Sequence, residues 1–374
     1  MKTRAAILNE AGLPRPYAQS RPLQIVEVDL DPPGPHEVLV RMRAAGLCHS
    51  DLSVINGDRP RPLPMALGHE GAGEVVEVGS AVSDLRVGDH VVAAFVPCCG
   101  TCEPCTSGRP ALCEPGFRAN SAGVLLHGDR RLHNGSAAIN HHLGVSAFAE
   151  FAVMARESLV KVDATLPFDE AAIFGCAVMT GVGAVTNTVQ LSPGASVAVV
   201  GLGGVGLSAL LGARLADATM IVAVDLSDEK LTLARELGAT HTVNAGAVDA
   251  AEQIRELSHG GVHYAFEMAG AVKAMELSYR VTRRGGTTVT AGLSNPQHVF
   301  SVPHVGIVAE ERTIKGSYLG SCDPARDIPR YIQMYRQGRL PVDKLLSEHL
   351  PLEDINAAFD RLADGRTVRQ IVTL

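Results

Sequence analysis

A cysteine, a histidine and a glutamate near the N-terminus have side chains that can bind a transition metal. Cys48 lies in the segment Gly-Leu-Cys-His-Ser-Asp, and His69 and Glu70 lie in Leu-Gly-His-Glu. Thiolate, imidazole and carboxylate groups are all zinc ligands in proteins. Taken alone, these residues are also compatible with a small buried thiol and a satisfied core histidine. The remainder of the sequence therefore decides whether this stretch binds metal.

Five of the eight cysteines lie within residues 98–113. Four of them have the spacing C-x2-C-x2-C-x7-C, namely Cys99, Cys102, Cys105 and Cys113. This spacing predicts a closed structural zinc site. A redox dithiol pair and disulfides are the alternatives, although the flanking sequence lacks the βαβ pattern of a thioredoxin-like motif. Cys98 is given no ligand role because adjacent residues cannot easily face the same ion, and Cys322 is predicted to be a buried thiol.

A glycine-rich loop follows an apolar segment and precedes a helical pattern in the second half of the chain. Its glycines have the spacing G-x-G-x-x-G. In this pattern the first glycine permits a tight turn, the second lets a pyrophosphate approach the backbone, and the third lets the helix pack closely. The helix N-terminus also stabilises negative charge. The residues predicted to contact a dinucleotide here are Gly201, Gly203, Gly204, Val205 and Gly206.

Asp225 ends the next predicted strand, where a carboxylate can accept hydrogen bonds from the adenosine ribose. The same carboxylate would repel the 2′-phosphate of NADP, so the sequence favours NAD. Lys230, one helical turn later, is a further candidate for the ribose, and an exposed lysine on a solvated helix face is its alternative. The alternative for the whole unit is a glycine turn that binds no ligand.

Cys176, in Phe-Gly-Cys-Ala-Val-Met-Thr, is the candidate third ligand of a second metal site with Cys48 and His69. Three protein ligands leave one position of a tetrahedral zinc ion for water or substrate, which is typical of catalytic sites. Hydride transfer requires a nicotinamide beside that position. We therefore expect Cys176 to lie where a metal-binding domain meets a nucleotide-binding domain.

Two patterns of secondary structure divide the chain. Up to about residue 95, short apolar strands alternate with Gly, Pro and Asp turns, and residues 98–145 are predicted to be irregular. From residue 196, apolar strands alternate with amphipathic helices, which is typical of a doubly wound parallel sheet. The predicted strands are 23–28, 37–44, 73–78, 90–94, 148–155, 196–200, 220–225, 241–243, 262–267, 287–291, 313–317 and 369–374. The predicted helices lie within 169–189 and at 204–216, 228–237, 250–258, 272–282, 326–337 and 352–364.

These patterns predict an α/β fold with two domains. Residues 1–177 are expected to form a mainly-β catalytic domain that carries the zinc lobe at 98–113. Residues 178–320 are expected to form a Rossmann domain that binds NAD, and residues 321–374 are expected to return to the catalytic domain. The length of 374 residues agrees with two domains.

The composition excludes several classes of protein. The chain has 33 basic and 40 acidic side chains, a net charge of −7 and no long basic run, which argues against nucleic acid as a partner. The N-terminus has only a short apolar run, unlike a secretory signal. No stretch reaches the roughly 18 apolar residues of a membrane span. We therefore expect a cytoplasmic protein with a small-molecule substrate and no membrane partner.

Together these residues resemble the zinc-dependent medium-chain alcohol dehydrogenases, in motifs that run in order along nearly the whole chain. The matching segments are 46–51, 68–73, 87–91, the four-cysteine lobe, 176–180, 201–206 with Asp225, and 314–317. The stretch 117–151 is similar to the longer loop of the liver-type and glutathione-dependent formaldehyde dehydrogenases. The resemblance implies a GroES-like catalytic domain, two zinc ions per chain, NAD as cofactor, and a homodimer or homotetramer.

The resemblance also implies a role for individual residues. Those implied to hold the catalytic zinc are Cys48, His69 and Cys176, with Glu70 as an occasional ligand. Asp51 is implied to orient His69. Ser50 is implied to begin proton removal from the alcohol, and Thr180 to pack near the nicotinamide. Arg369 is similar in position to an arginine that contacts the pyrophosphate, and an exposed arginine on a terminal strand is its alternative.

Two positions depart from the liver-type pattern. His49 stands where that branch often has an arginine that binds pyrophosphate, so we expect His49 to hold the cofactor less firmly. Ser53 stands where that branch has a histidine that passes the proton to solvent. Water or His49 is therefore expected to complete the proton path.

The sequence thus predicts a zinc enzyme that transfers a hydride reversibly between an alcohol and NAD. An alternative within enzymes is an S-(hydroxymethyl)glutathione dehydrogenase, suggested by the long loop. Against it, Arg59 and Arg61 precede His69, where a glutathione amine would require acidic partners. An alternative from another class is a non-catalytic NAD sensor with structural zinc only. The low aromatic content of 4% predicts an aliphatic substrate pocket.

Overall fold

Secondary structure in this chain divides between two compact units, seen in a computed structural model that describes residues 1–374. Unit 1 comprises Met1–Cys176, Asp323–Ile332 and Leu346–Leu374, and unit 2 comprises Ala177–Cys322 and Gln333–Leu345. The predicted domain limits differ from these units at the C-terminal side, because residues 333–345 group with unit 2. The assignment of a function to each unit stays a prediction.

The strands are mostly runs of Val, Ile, Leu and Ala, which suit a pleated and partly buried surface. Those of the first 162 residues are β1 (Lys2–Leu8), β2 (Leu23–Leu30), β3 (Glu37–Gly46), β4 (Met65–Ala66), β5 (Gly71–Val78), β6 (His90–Ala93), β7 (Leu132–Asn134), β8 (Ala137–His141), β9 (Phe151–Ala155) and β10 (Leu159–Val162). The others are β11 (Ser196–Val200), β12 (Met220–Asp225), β13 (His241–Asn244), β14 (Val262–Glu267), β15 (Thr282–Thr290), β16 (Thr313–Gly316), β17 (Leu346–Pro351) and β18 (Arg369–Thr373).

Helices occur in both units. They are α1 (Tyr17–Ser20), α2 (His49–Ile55), α3 (Glu103–Thr106), α4 (Glu114–Ala122), α5 (Phe168–Ala172), α6 (Ala177–Gly183), α7 (Gly204–Leu215), α8 (Asp228–Glu236), α9 (Ala250–Leu257), α10 (Val272–Val281), α11 (His304–Ala309), α12 (Pro324–Arg336) and α13 (Ile355–Ala363). No single helix has the length and apolar composition of a membrane span, and one bent pair, Phe168–Gly175 with Ala177–Thr188, meets those criteria only together.

Unit 1 is built from a closed barrel and a second sheet. The barrel has the strand order β1-β2-β7-β8-β4, and the seven-stranded sheet has the order β10-β6-β5-β3-β18-β17 with β9 also paired to β3. In the antiparallel pair β3–β5, Ala45 lies opposite Gly71. This register brings the residue two positions after β3, Cys48, to the same sheet end as His69, two positions before β5.

The C-terminal strand belongs to the same sheet. β18 pairs antiparallel to β3, with Ile371 opposite Gly46. The C-terminal strand therefore lies in the same sheet as β3, and the assignment of residues 321–374 to the catalytic domain stays a prediction. The pairing carries Arg369, the first residue of β18, to the end of β3 that precedes Cys48.

Unit 2 contains a six-stranded parallel sheet with the order β13-β12-β11-β14-β15-β16. Two of its central strands, β11 and β12, are apolar and buried except at their ends, as expected of a sheet covered by helices on both faces. The strand order reverses beside β11, so the loops that follow β11 and β14 meet at the carboxyl edge of the sheet. This edge is where doubly wound folds bind dinucleotides, and the Rossmann prediction is confirmed.

The prediction of an irregular stretch at 98–145 is wrong, because four regular elements lie within it: α3, α4, β7 and β8. α4 has a proline in its first turn, and the residue that caps its C-terminus, Gly123, has a left-handed φ of 69°. Its first turn is capped by a thiol, since Cys113 Sγ accepts a hydrogen bond from the Gly116 amide. Strand β1 and helix α2 were also not predicted. Each has only seven residues.

The backbone directly before His69 is closely packed at Gly68. Its φ is +93°, and a Cβ there would lie 2.5 Å from the Phe148 amide nitrogen and 2.9 Å from that of Ala147. Gly88 has a similar φ of +87°, but a Cβ there would meet no atom within 4 Å. Comparing substitutions at these two glycines therefore distinguishes the effect of backbone strain from that of steric collision.

We expect Gly68→Ala to reduce the free energy of unfolding by roughly 2 to 5 kcal/mol, because left-handed strain adds to overpacking. Gly88→Ala should cost only about 1 to 2 kcal/mol, the strain alone. Chemical denaturation of both variants measures the difference. Equal losses in the two variants would contradict the close packing around Gly68.

Candidate active site

Three buried donor groups converge in unit 1. Cys48 directly precedes α2, His69 lies between β4 and β5, and Cys176 directly precedes α6. Their donor atoms all lie within 4.8 Å of one another. Cys176 Sγ is 3.6 Å from His69 Nε2. Residues separated widely in sequence are thus brought together as the sequence predicted.

The chemistry of this donor set fits zinc. Two thiols and one imidazole are a known ligand set of catalytic zinc sites with one open position. Contact with Cys176 lowers the pKa of Cys48 well below its ordinary value, and contact with Cys48 raises the pKa of Cys176. The pair thus holds one proton that a bound cation would displace, because coordinated thiols lose their protons.

A buried carboxylate stands behind His69. Asp51 is fully buried, and its Oδ2 lies 3.0 Å from His69 Nδ1. Its Oδ1 accepts a hydrogen bond of 3.0 Å from the Gly68 amide and lies 2.9 Å from His142 Nδ1. Burial raises the pKa of Asp51, but His69 and His142 outweigh it, and the pKa falls to about 2. Asp51 is therefore ionised and directs Nε2 of His69 away from itself.

The sequence reasoning did not single out His142. It follows β8 and is 1% exposed. The only available signal was its place in the matched segment His-Leu-Gly-Val-Ser. Nothing in that spacing indicates that its ring would reach a carboxylate more than eighty positions earlier in the chain.

Glu70 and Arg369 pair with each other. Arg369 Nη1 donates to Glu70 Oε2 at 2.8 Å and to the Leu47 carbonyl oxygen at 2.7 Å. Glu70 is fully buried and Arg369 is 4% exposed. The alternative of an exposed arginine on a terminal strand is therefore wrong. Glu70 does not belong to the group of three converging donors, and its role as an occasional ligand stays a prediction, as does a pyrophosphate contact of Arg369.

The residues after Cys48 form the first turns of α2. His49 is exposed and Ser50 is half-buried. The Ser53 hydroxyl donates to the His49 carbonyl oxygen at 2.8 Å, so this hydroxyl is engaged within its own helix. In unit 2, Thr180 lies buried in α6. The roles predicted for His49, Ser50 and Thr180 stay predictions.

The four-cysteine lobe gathers its thiols as predicted. The sulfur atoms of Cys99, Cys102, Cys105 and Cys113 lie within 4.8 Å of one another. None of the eight cysteines forms a disulfide, so no disulfide occupies the lobe. Backbone amides donate to two of these sulfurs, from Cys102 to Cys99 at 3.4 Å and from Cys99 to Cys113 at 3.3 Å. Such bonds favour thiolates.

Cys98 lies outside this group. Its sulfur contacts the carbonyl oxygens of Val96 and Pro110, each at 3.5 Å. Burial raises the pKa of Cys98 to about 12, so the group stays a neutral thiol. The donor set of the lobe is therefore the four-cysteine set of a structural zinc site, without Cys98.

The glycine loop of unit 2 has the geometry of a dinucleotide site. Gly201 has φ +93°, and α7 begins at Gly204. Asp225 accepts hydrogen bonds from the Leu202 amide at 2.6 Å and the Ser227 amide at 3.0 Å. The carboxylate thus joins the loop after β11 to the loop after β12. Lys230 is partly buried in α8, and its amide donates to the capping hydroxyl of Ser227, while a ribose contact stays a prediction.

A second carboxylate at this edge escaped the sequence reasoning. Glu267, the last residue of β14, is 2% exposed. Its Oε1 accepts hydrogen bonds from the Ala269 and Gly270 amides at 2.8 and 2.6 Å, and its Oε2 accepts one from the Thr290 hydroxyl at 2.8 Å. Glu267 therefore fixes the loop after β14, whose backbone lies against Gly201.

Comparison with known proteins agrees with this fold. The family pattern for the alcohol dehydrogenase GroES-like domain matches residues 34–164, and that for the zinc-binding dehydrogenases matches residues 204–337. The chain is 39% identical to putative alcohol dehydrogenase D of Mycobacterium tuberculosis over the whole of both chains. It is 36% identical to an S-(hydroxymethyl)glutathione dehydrogenase of Synechocystis, also over the whole of both.

Two solved structures of dehydrogenases have the same fold as this chain. Benzyl alcohol dehydrogenase from Acinetobacter calcoaceticus superposes with a TM-score of 0.92 and 32% identity, over 100% of this chain and 99% of that one. A zinc-binding dehydrogenase from Sinorhizobium meliloti, solved with NADP, has a TM-score of 0.81 and 26% identity over the whole of both.

The fold and the two sets of metal donors define a zinc-binding dehydrogenase. Within that class, the chain belongs to the zinc-dependent medium-chain alcohol dehydrogenase family. It is an oxidoreductase that interconverts alcohols and carbonyl compounds with a nicotinamide dinucleotide.

The loop glycines allow a test of the dinucleotide site. A Cβ on Gly203 would meet no atom within 4 Å, whereas one on Gly206 would lie 1.7 Å from the Gly201 carbonyl oxygen. We expect Gly203→Ala to fold as stably as the wild type but to bind the dinucleotide at least about tenfold more weakly, a loss of ~1.4 kcal/mol, because the methyl group crowds the pyrophosphate.

Gly206→Ala should instead lower thermal stability, since the helix cannot pack without moving the loop. Calorimetric titration and thermal unfolding measure the two effects. Unchanged dinucleotide affinity in Gly203→Ala would show that the pyrophosphate does not approach this backbone.

Proposed function

We propose that Cys48, His69 and Cys176 hold a catalytic zinc ion at which an alcohol is oxidised reversibly by NAD. The convergence of these three buried donors, with an ionised carboxylate behind the histidine, carries the proposal. When bound, zinc acts as a Lewis acid that lowers the pKa of an alcohol hydroxyl, and NAD accepts the hydride. Glu70 is held by Arg369, so the proposed resting set of protein ligands is three.

The chain's own residues supply position, charge and a proton path. The two thiols of Cys48 and Cys176 balance the charge of the cation once both are ionised. Asp51 keeps the Nδ1 proton on His69, because an ionised carboxylate only accepts hydrogen bonds. Ser50, half-buried in the first turn of α2, receives the alcohol proton in this proposal. The Ser53 hydroxyl is bonded to the backbone of its own helix. The proton therefore passes from Ser50 to solvent through water or His49.

We further infer a second zinc ion in the four-cysteine lobe, with a structural role. The lobe contains only short elements between residues 98 and 123, so a metal would order it in place of an apolar core. Four sulfur ligands close the coordination sphere, which excludes substrate. The expected content is therefore two zinc ions per chain.

Cys176→Ala should abolish alcohol turnover and lower the zinc content from two ions to one per chain. Binding of NAD should survive, because the glycine loop and Asp225 are unchanged. Cys98→Ala is the matched control, since it also removes a thiol, here a half-buried one, but should keep both ions and full activity. Metal analysis, a dinucleotide titration and steady-state kinetics measure these effects; full activity in Cys176→Ala would overturn the assignment.

We also propose NAD as the preferred cofactor over NADP. The carboxylate of Asp225 stands at the end of β12, where a ribose 2′-phosphate would meet its negative charge. A neighbour of the same fold was solved with NADP, so the proposal for this chain depends on the local charge of Asp225 and not on the fold.

Wild-type kcat/KM should therefore be higher with NAD, and Asp225→Asn should reduce the NAD preference by about tenfold, or ~1.4 kcal/mol. The amide still accepts one hydrogen bond, so the loop stays in place. Asp228→Asn, an exposed neighbour in the first turn of α8, is the charge-matched control and should leave the ratio unchanged. An unaltered ratio in Asp225→Asn would contradict the proposal.

Free alcohols are the proposed substrates. A second candidate is S-(hydroxymethyl)glutathione, because relatives 36% identical to this chain carry that name. NADH formation by the zinc-loaded protein over primary, secondary, benzylic and terpenoid alcohols tests the first candidate. Oxidation of formaldehyde that requires added glutathione would favour the second.

A homodimer or homotetramer is proposed for the assembly. Unit 2 exposes several apolar side chains near its edge strand β16, among them Val299, Val305 and Val308 at 82%, 73% and 69% exposure. Exposed apolar groups of this kind are typical of association surfaces. Sedimentation velocity distinguishes these assemblies from a monomer. A cytoplasmic location also stays a prediction.

A further inference from the structure

His142 shares the carboxylate of Asp51 with His69. One oxygen, Oδ2, lies 3.0 Å from His69 Nδ1, and the other, Oδ1, lies 2.9 Å from His142 Nδ1. Each of the three residues is at most 1% exposed. The Gly68 amide is the third group on the carboxylate, at 3.0 Å from Oδ1. Both oxygens of Asp51 therefore have polar partners in a region without solvent.

This arrangement fixes the orientation of both rings, because Nδ1 of each lies against a different oxygen of the Asp51 carboxylate. Nε2 of His69 therefore faces away from Asp51, and it lies 3.6 Å from Cys176 Sγ. A carboxylate rotates about a broad terminal torsion, and a partner on each oxygen limits that rotation.

His142 also packs directly against His69. The two ring centroids are 5.5 Å apart and the ring planes meet at 88°. On another side, Phe95 meets His69 at 5.4 Å and 89°. Two edge-on rings thus confine the imidazole, and Asp51 sets its rotation.

The backbone of His142 is tied to the segment that leads to His69. The His142 amide donates to the Ala66 carbonyl oxygen at 3.1 Å and contacts the Ser146 hydroxyl at 3.2 Å. That hydroxyl donates to the same Ala66 carbonyl at 3.0 Å. A displacement of the loop after β8 would therefore be transmitted to the end of β4, three residues before His69.

We propose that His142 is a positioning residue of the catalytic metal site, which holds Asp51 so that His69 presents Nε2 to the metal. The inference rests on the metal role of His69 in the proposed function. Partners behind a metal-bound histidine typically change metal affinity by about 10- to 100-fold when removed. Metal retention, measured apart from turnover, is thus the property that His142 should control.

The experiment uses three variants of the full chain loaded with zinc at both sites. His142→Leu removes the contact with Asp51, and His142→Asn retains an N–H donor at the position of Nδ1. His141→Leu is the matched control, because His141 is equally buried but contacts the Arg131 amide and the Ser146 hydroxyl. Zinc release to a chromogenic chelator is followed for each, with release from the four-cysteine lobe as an internal reference.

We expect His142→Leu to release the zinc of the Cys48 site about 10- to 100-fold faster, with release from the lobe unchanged. His142→Asn should restore release to within a few-fold of wild type. His141→Leu should lower the melting temperature without changing either rate. Cobalt placed at the Cys48 site should show a changed ligand-field spectrum in His142→Leu only.

Wild-type release rates in His142→Leu would overturn the inference, as would equal acceleration at both sites, which indicates general destabilisation. These results are distinct from failure of the proposed function. If the wild type oxidises alcohols while His142→Leu retains its zinc, only the positioning role fails. If Cys176→Ala keeps two zinc ions and full activity, the metal role of His69 fails as well.

Discussion

The buried carboxylate of Asp51 is the constraint on which the proposed metal site depends. A charge without solvent is costly unless polar groups surround it, and here two imidazoles and a backbone amide do so. The carboxylate and its partners come from three segments of unit 1. Asp51 lies in α2, the amide belongs to Gly68, and His142 follows the barrel strand β8. The contacts that Asp51 requires therefore join α2, the segment before β5 and the barrel at this carboxylate.

The same demand explains features that look unrelated in sequence. The left-handed backbone of Gly68 lets its amide face Asp51 while the next residue, His69, approaches the two cysteines. The pair of Glu70 and Arg369 satisfies a second buried carboxylate one residue further on. Arg369 reaches it only because β18 pairs with β3, so the C-terminal strand completes a site that begins near residue 48.

Unit 2 uses carboxylates in a comparable way. Asp225 and Glu267 stand at the carboxyl ends of neighbouring strands and accept hydrogen bonds from the amides of the adjoining loops. Such bonds hold the loops open around Gly203, where no atom of the free protein occupies the space of a Cβ. In both units, therefore, buried acidic side chains hold the backbone around a candidate site in place. The position of that backbone then sets where the groups that would touch a metal or dinucleotide lie.

The sequence by itself determined the periodic and local features of this protein. Alternating apolar strands and helices predicted the parallel sheet, and glycine and cysteine spacings predicted the dinucleotide loop and the four-cysteine lobe, because each depends on neighbours close in the chain. It did not reveal α4, β1, the pairing of Glu70 with Arg369, or the contact of His142 with Asp51. The last two were decided by tertiary structure, since they arise where buried charges require partners that only strand register and folding bring within 3 Å.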